Sequence, residues 1–145
     1  MPFMMLVRAT RDTEAGVPPS KELISEMMKY NEELAQAGAL LALDGLHPTS
    51  KGTRVKFSGA KHTVTDGPFT ETKELIAGYW LIQVKSKEEA IEWAKRIPNP
   101  TGAEGEVEIR QVFEASDFPA EVLPPAAARR EQALAAELKK QAGLR

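Results

Sequence analysis

The sequence predicts an α+β domain in which two helices pack on an antiparallel sheet. Short apolar or alternating segments are typical of strands, and two longer segments carry apolar residues at helical spacing. Their order is strand, helix, strand, hairpin, strand, helix, strand. This is a ferredoxin-like βαββαβ plan with an inserted β-hairpin. With 145 residues, 42% hydrophobic and 28% charged, the chain is long enough for one domain with its own core.

The first part of the chain supplies a strand, a helix and a second strand. Phe3 to Val7 is apolar at every position, which predicts a strand covered on both faces. Ser20, a typical N-cap residue, then starts an amphipathic helix that Gly38 ends. The apolar stripe of this helix consists of Leu23, Met27, Tyr30, Leu34 and Ala37. Ala39 to Leu43 is again apolar on both faces, and we expect a bulge or bend at Gly45.

The second part supplies a hairpin, a deep strand, a helix and a last strand. Thr53 to Phe57 and His62 to Thr65 alternate apolar and polar residues, which indicates a half-exposed hairpin. Gly78 to Lys85 is the most apolar segment and predicts a strand deep in the sheet. Ser86 opens a capping box and hence a second helix. Glu106 to Glu114 alternates and is the last predicted strand.

A tail follows this plan, so we divide the chain into a domain of residues 1–115 and a tail of residues 116–145. Ala115 to Pro125 predicts an irregular connector. Ala126 to Leu144 is rich in Ala, Glu, Lys and Arg, and predicts a weakly cationic helix that serves as a solvated tail or packing arm.

The stretch Asp66-Gly67-Pro68 is the most informative part of the sequence. An Asp that bonds its own backbone, a flexible Gly and a Pro with fixed φ together predict a sharp turn. From Asp66 the sequence reads DGPFTETKELIAGYWLIQV. This stretch resembles the DGPF signature of the YCII-related family. The resemblance implies a dimeric α+β barrel, in which two sheets pack face to face across a two-fold axis.

A homodimer is also expected from the residues themselves. Three predicted strands are apolar on both sides, and two helices cannot cover both faces of one sheet. These strands include Met4 to Val7, Leu40 to Leu43 and Tyr79 to Ile82.

Composition and missing motifs exclude several classes of function. A net charge of -2 without a basic patch in the domain argues against nucleic-acid binding. The absence of Cys excludes disulfides and thiolate chemistry, and two His argue against a His-rich metal site. The chain has no phosphate-binding loop, dinucleotide or serine-hydrolase motif, so we expect no cofactor. The apolar run Pro2 to Val7 is too short for a membrane span, and we expect a soluble cytoplasmic protein.

Carboxylates and a histidine are the remaining candidates for chemistry. His47 follows a strand and Asp66 precedes the central turn, so folding can bring them together with Glu74 as catalytic residues. In this hypothesis an Asp orients the imidazole. Lys73, Glu71 and Tyr30 are the candidate substrate-binding residues.

Each candidate also has a structural interpretation. Asp66 is typical of a turn residue that bonds nearby N–H groups. Lys73 and Glu74 can form a solvated ion pair worth less than about 1 kcal/mol. Tyr30 and its Met neighbours can be simple core packing rather than a ligand-binding stripe.

Two functions therefore stay open from the sequence. One is a cofactor-independent enzyme of isomerase or lyase type, which acts on a small molecule and which the resemblance allows. The other is a non-catalytic ligand-binding or regulatory dimer, because the resemblance implies a link to extracytoplasmic-function-type sigma factors. A deep cleft holding Asp66, Glu74 and His47 favours the enzyme. A shallow, solvated motif favours the regulator.

Overall fold

The computed structural model describes residues 1–143, so the predicted helix end at Leu144 lies outside the described residues. The strands are β1 (Pro2–Arg8), β2 (Leu40–Gly45), β3 (Thr53–Ser58), β4 (Lys61–Asp66), β5 (Ile76–Gln83) and β6 (Val107–Gln111). The helices are α1 (Arg11–Glu14), α2 (Lys21–Gln36), α3 (Lys87–Lys95) and α4 (Pro125–Gly143).

The chain forms two compact units, Met1–Gln111 and a second unit that starts at Val112. The second unit contains α4 and an aromatic pair, Phe113 and Phe118, whose stacked rings lie 5.0 Å apart. The first unit contains both sheets and the other helices.

The main sheet has the strand order β2-β5-β1-β6, and every neighbouring pair is antiparallel. The two strands that follow helices, β2 and β6, lie at the edges. This is the order of a ferredoxin-like fold, so the predicted α+β, ferredoxin-like fold of the single chain is confirmed. The hairpin β3–β4 is inserted between β2 and β5 and forms its own two-stranded sheet.

Local signals place the ends of α2 as predicted. The Ser20 hydroxyl oxygen accepts a hydrogen bond from the Leu23 N–H at 3.1 Å, which caps the first turn. Gly38 has φ +71° just after the C-cap, where a side chain would be strained. The short helix α1 was not predicted, because its only signal is the capping box between Thr10 and Thr13.

The core lies between the helices and one face of the main sheet. Met5 and Ile82 in the sheet and Leu34 in α2 have no exposed surface. Met4 and Leu81 pair across β1 and β5, face away from this core and are partly exposed. α2 and α3 therefore pack on the same face of the main sheet.

Two expectations about the strands were wrong. The register irregularity in β2 lies between Leu40 and Ala42, and Gly45 simply ends the strand. The hairpin is exposed along both faces: Val55, Phe57 and Val64 are 50%, 72% and 66% exposed. Alternation showed that these residues share one face, but it did not show what covers that face.

Candidate functional site

A cavity of about 430 Å³ opens beside the central turn, at the ends of β2 and β5. The loop after β2 forms one wall, β3 contributes a second, and the segment from the turn into β5 forms the third. The polar side chains of its lining are His47, Thr49, Lys51, Arg54 and Glu74. The apolar ones include Leu46, Pro48, Phe69, Leu75 and Ile76.

Thr49 connects these walls through its hydrogen bonds. Its N–H and its hydroxyl donate to the two carboxylate oxygens of Glu14, at 3.1 and 2.6 Å. The same hydroxyl oxygen accepts from the Phe69 N–H at 3.0 Å. Since a carboxylate is a charged acceptor, these bonds are stronger than neutral ones. Thr49 therefore ties α1 and the central turn to the loop after β2.

Gly67 brings the central turn against the Thr49 loop. Its N–H donates to the Gly52 carbonyl at 2.9 Å, and the Gly67–Pro68 peptide bond is cis. A Cβ at Gly67 would lie 1.8 Å from the Thr49 carbonyl oxygen. Only glycine allows this close approach.

Phe69 contacts Arg54, one of the two cationic side chains of the cavity. The guanidinium carbon of Arg54 lies 3.8 Å from the centre of the Phe69 ring, which is a cation–π contact. The stacked ring limits the rotamers that Arg54 can adopt, so its N–H groups are partly preorganised.

Arg8 fastens the end of the motif segment to the main sheet. Its guanidinium donates to the Lys73 carbonyl and, at 2.7 Å, to the Glu108 carboxylate on β6. The Ala9 N–H also donates to the Leu75 carbonyl at 2.9 Å. This part of the cavity wall is thereby anchored to β1 and β6.

The structure brings His47 and Glu74 to the same cavity, where both are exposed. Asp66 lies at the end of β4 outside the lining, and its carboxylate accepts from the Thr53 hydroxyl at 2.9 Å. Within residues 1–143, no hydrogen bond joins Asp66 to His47. Glu71 and Lys73 are exposed and also lie outside the lining.

Tyr30 lies in the core rather than at a cavity wall. It is 3% exposed, and its hydroxyl donates to the Trp93 carbonyl at 2.7 Å. Its ring meets Trp80 and Trp93 edge-on, with centroids 5.5 and 6.2 Å away. Burial raises the pKa of Tyr30 because ionisation would place a phenolate among apolar groups. Tyr30 therefore lies outside the cavity beside the central turn.

Sequence reasoning missed Lys51, Arg54 and Phe69 as cavity residues. Arg54 looked like an ordinary outward residue of a hairpin, and Lys51 lies in a loop without a motif. In the described part of the chain, neither cation forms an ion pair with a protein carboxylate. Two cations whose charges the protein does not pair can bind the carboxylate or phosphate of a ligand.

Neither a metal centre nor a membrane span is found among the described residues. They contain no cluster of three or more His, Asp or Glu side chains that could hold a metal ion. No helix in this range is both long and apolar enough to cross a bilayer.

A comparison with protein-family models decides the family. The model described as the YCII-related domain matches residues 1–116, which include the whole sheet and every cavity residue named above. The chain belongs to the YCII-related family. This family match confirms the resemblance that the DGPF stretch carried.

A curated relative of this YCII-related chain comes from Rhizobium meliloti (strain 1021). The two proteins are 30% identical over 90 residues, which is 62% of this chain and 73% of the relative. The relative is described as an uncharacterized protein. The family assignment does not name a function, so the argument for a function depends on the cavity itself.

Proposed function

We propose that this YCII-related protein binds a small anionic molecule, bearing a carboxylate or phosphate, in the cavity beside the central turn, without converting it. The observation that carries the proposal is the pair of cations on the wall. Lys51 and Arg54 both line the cavity and, among residues 1–143, have no carboxylate partner within the protein. An anion that enters the cavity can interact with both cations, and no existing ion pair has to break.

Arg54 is the residue best suited to recognise the anion. A guanidinium presents several N–H donors in a plane that matches two oxygens of a carboxylate or phosphate. Its contact with Phe69 lowers the entropy lost when the ligand binds. Glu74 places a negative charge on the same lining, which sets the orientation of a ligand that also carries a donor group.

The candidate acid-base residues, His47 and Glu74, are exposed, and this favours a binding protein over an enzyme. A general base works best when neighbouring groups position it and tune its proton affinity. His47 and Glu74 are exposed, and no hydrogen bond among the described residues joins either side chain to another ionisable group. This is the shallow, solvated arrangement that favours the ligand-binding alternative.

An enzyme of isomerase or lyase type is the second candidate, and one observation favours it. His47 and Glu74 share the cavity, so a ligand held by Arg54 would lie near an imidazole and a carboxylate. Such an enzyme would change a bound acid over time, whereas a binding protein would release it unchanged.

Calorimetric titration with a defined set of anions tests the proposal. The probes are acetate, succinate, benzoate and inorganic phosphate. We expect at least one to bind with a Kd that rises about tenfold in Arg54→Gln and in Lys51→Gln, as the loss of a charge-assisted hydrogen bond predicts. Lys56→Gln is the matched control, because Lys56 lies two residues along the same strand, on the same face, outside the lining.

The outcomes separate the alternatives. Equal affinity in Arg54→Gln and Lys56→Gln would place the anion elsewhere and contradict the proposal. NMR of the recovered probe distinguishes the second function, since conversion of the bound acid that stops in His47→Gln would establish an enzyme.

We also propose that the protein acts as a homodimer. The sheet face that carries Met4 and Leu81 lies opposite α2 and α3, and the hairpin exposes Phe57. Both surfaces are apolar, and a second copy of the chain would cover them. Association with an extracytoplasmic-function-type sigma factor stays a prediction.

A further inference from the structure

A second cavity, of about 390 Å³, lies between α2 and the main sheet. We propose that it is a binding site for a neutral, mostly apolar molecule about the size of one or two fused rings. It shares no lining residue with the cavity beside the central turn. This inference goes beyond the proposed anion binding and does not depend on it.

The cavity exists because α2 packs more closely on the sheet in its second half than in its first. In the second half of the helix, Tyr30 and Leu34 are 3% and 0% exposed. In the first half, Ile24 and Met28 are 48% and 58% exposed. Both of these residues line the cavity, so the gap opens mainly under the first half of the helix.

Glycines on the sheet leave the floor of this gap unfilled. Gly45 pairs with Gly78 across β2 and β5, and the next pair on the same face is Leu43 with Trp80. Gly78 also faces Val7 on β1. Where neighbouring strands would normally present side chains to the helix, two adjacent positions present none. The missing side chains account for the cavity.

The lining indicates the chemical class of the ligand. The wall formed by α2 consists of Leu23, Ile24, Met27 and Met28, and the sheet adds Leu43 and Trp80. Met side chains adapt to the shape of a ligand and make favourable sulfur–aromatic contacts, which suits a ring. The volume also lies within the range of about 300–1,000 Å³ that is common for ligand sites.

The polar groups of the lining are already paired with each other. The Asn31 side-chain oxygen accepts from the Trp80 indole N–H at 2.8 Å. The Tyr79 hydroxyl donates to the Asp44 carboxylate at 3.0 Å, and this bond raises the pKa of Tyr79. Since the lining includes the negative Asp44 and no Lys, Arg or His, it disfavours anions. Because the rest of the lining is apolar, it favours an uncharged ligand over an anion.

Titration with N-phenyl-1-naphthylamine, a neutral aromatic fluorophore, tests this site in the full-length protein. We expect binding of one probe per chain, with energy transfer from Trp80. Gly45→Val should raise the Kd about tenfold or more, because the side chain occupies ligand volume. A Cβ at Gly45 meets no atom within 4 Å and the residue does not have positive φ, so the variant is expected to fold.

Matched variants make the result specific. Gly105→Val is the control, since Gly105 also has no atom within 4 Å of an added Cβ, has no positive φ and lies outside both cavities. Met28→Gln, at an exposed rim position, should weaken the probe without affecting the fold. Arg54→Gln should leave probe binding unchanged, which separates this site from the anion cavity. The sulfonated analogue of the probe should bind at least several-fold more weakly, because Asp44 repels it.

Three outcomes would overturn the proposal. The first is equal probe affinity in Gly45→Val and Gly105→Val. The second is tighter binding of the sulfonated analogue than of the neutral probe. The third is probe affinity that falls as protein concentration rises, which would show that a second copy of the chain covers this face.

Discussion

Single residues show how far the sequence predicts the site. The turn at Asp66-Gly67-Pro68 was predicted from local chemistry, and in the structure the chain bends at Gly67. The local sequence could not show that Thr49, 20 residues before Phe69, forms the surface against which the turn packs. Asp66 was paired with His47 on the basis of chemical type, but its carboxylate binds the Thr53 hydroxyl. Contacts between distant segments decide such partners, and one sequence does not contain them.

Gly67→Ala should destabilise the protein by about 2 kcal/mol or more, in the range of an overpacked site. The reason is not backbone conformation, since Gly67 does not have positive φ. The added methyl group would lie 1.8 Å from the Thr49 carbonyl oxygen, so the turn or the Thr49 loop must move. Denaturant unfolding measures the change in the free energy of unfolding.

Gly105→Ala is the control for this substitution, because a Cβ at Gly105 meets no atom within 4 Å and its φ is not positive. Equal free energies of unfolding for the two variants would show that the Thr49 loop can move away from the added methyl group without loss of stability. The close contact would then not be what requires glycine at position 67.

At the scale of secondary-structure elements, the sequence predicted most helices and strands because their signals are local. Ser20 and Gly38 marked the two ends of α2, and alternation identified the hairpin. The void under the first half of α2 could not be predicted in this way. The periodic stripe suggests uniform packing along the helix, whereas the space depends on Gly45 meeting Gly78 across two strands.

Ser20→Ala should lower the free energy of unfolding by about 1 kcal/mol, the usual cost of losing an N-cap. The Leu23 N–H then loses the side-chain acceptor that it has at 3.1 Å. Because the same turns form the roof of the apolar cavity, amide hydrogen exchange at Leu23 and Ile24 should accelerate as well. Hydrogen-exchange mass spectrometry and thermal unfolding measure the two effects.

Ser25→Ala provides the matched control inside the same helix. Ser25 is exposed and lies within α2, where Ala is the better helix former, so this variant should be as stable as the original or slightly more so. If Ser20→Ala behaved like Ser25→Ala, the cap would not stabilise α2.

At the scale of the whole molecule, the most informative feature for the oligomeric state is that three predicted strands are apolar on both faces. The sequence showed that two helices cannot cover both faces of the sheet, and the structure has its core on one face only. Met4 and Leu81 lie on the opposite face and are partly exposed. The inserted hairpin adds a second apolar surface, and a two-stranded hairpin on its own is only marginally stable. Both features are consistent with a molecule whose folding is completed by a partner.

The protein should therefore be a dimer at micromolar concentration, and light scattering coupled to gel filtration measures its mass. Leu81→Lys should shift it to the monomer, because a buried ammonium group without a carboxylate partner is costly at an apolar interface. Leu81 is already partly exposed in the single chain, so the substitution leaves the core around Ile82 intact. Leu138→Lys, at a 56% exposed position of α4 in the second unit, is the control and should keep the dimer mass. If the original protein were a monomer, the prediction would be wrong. The sheet face that carries Met4 and Leu81 would then be a surface whose apolar side chains lower the solubility instead of forming an interface.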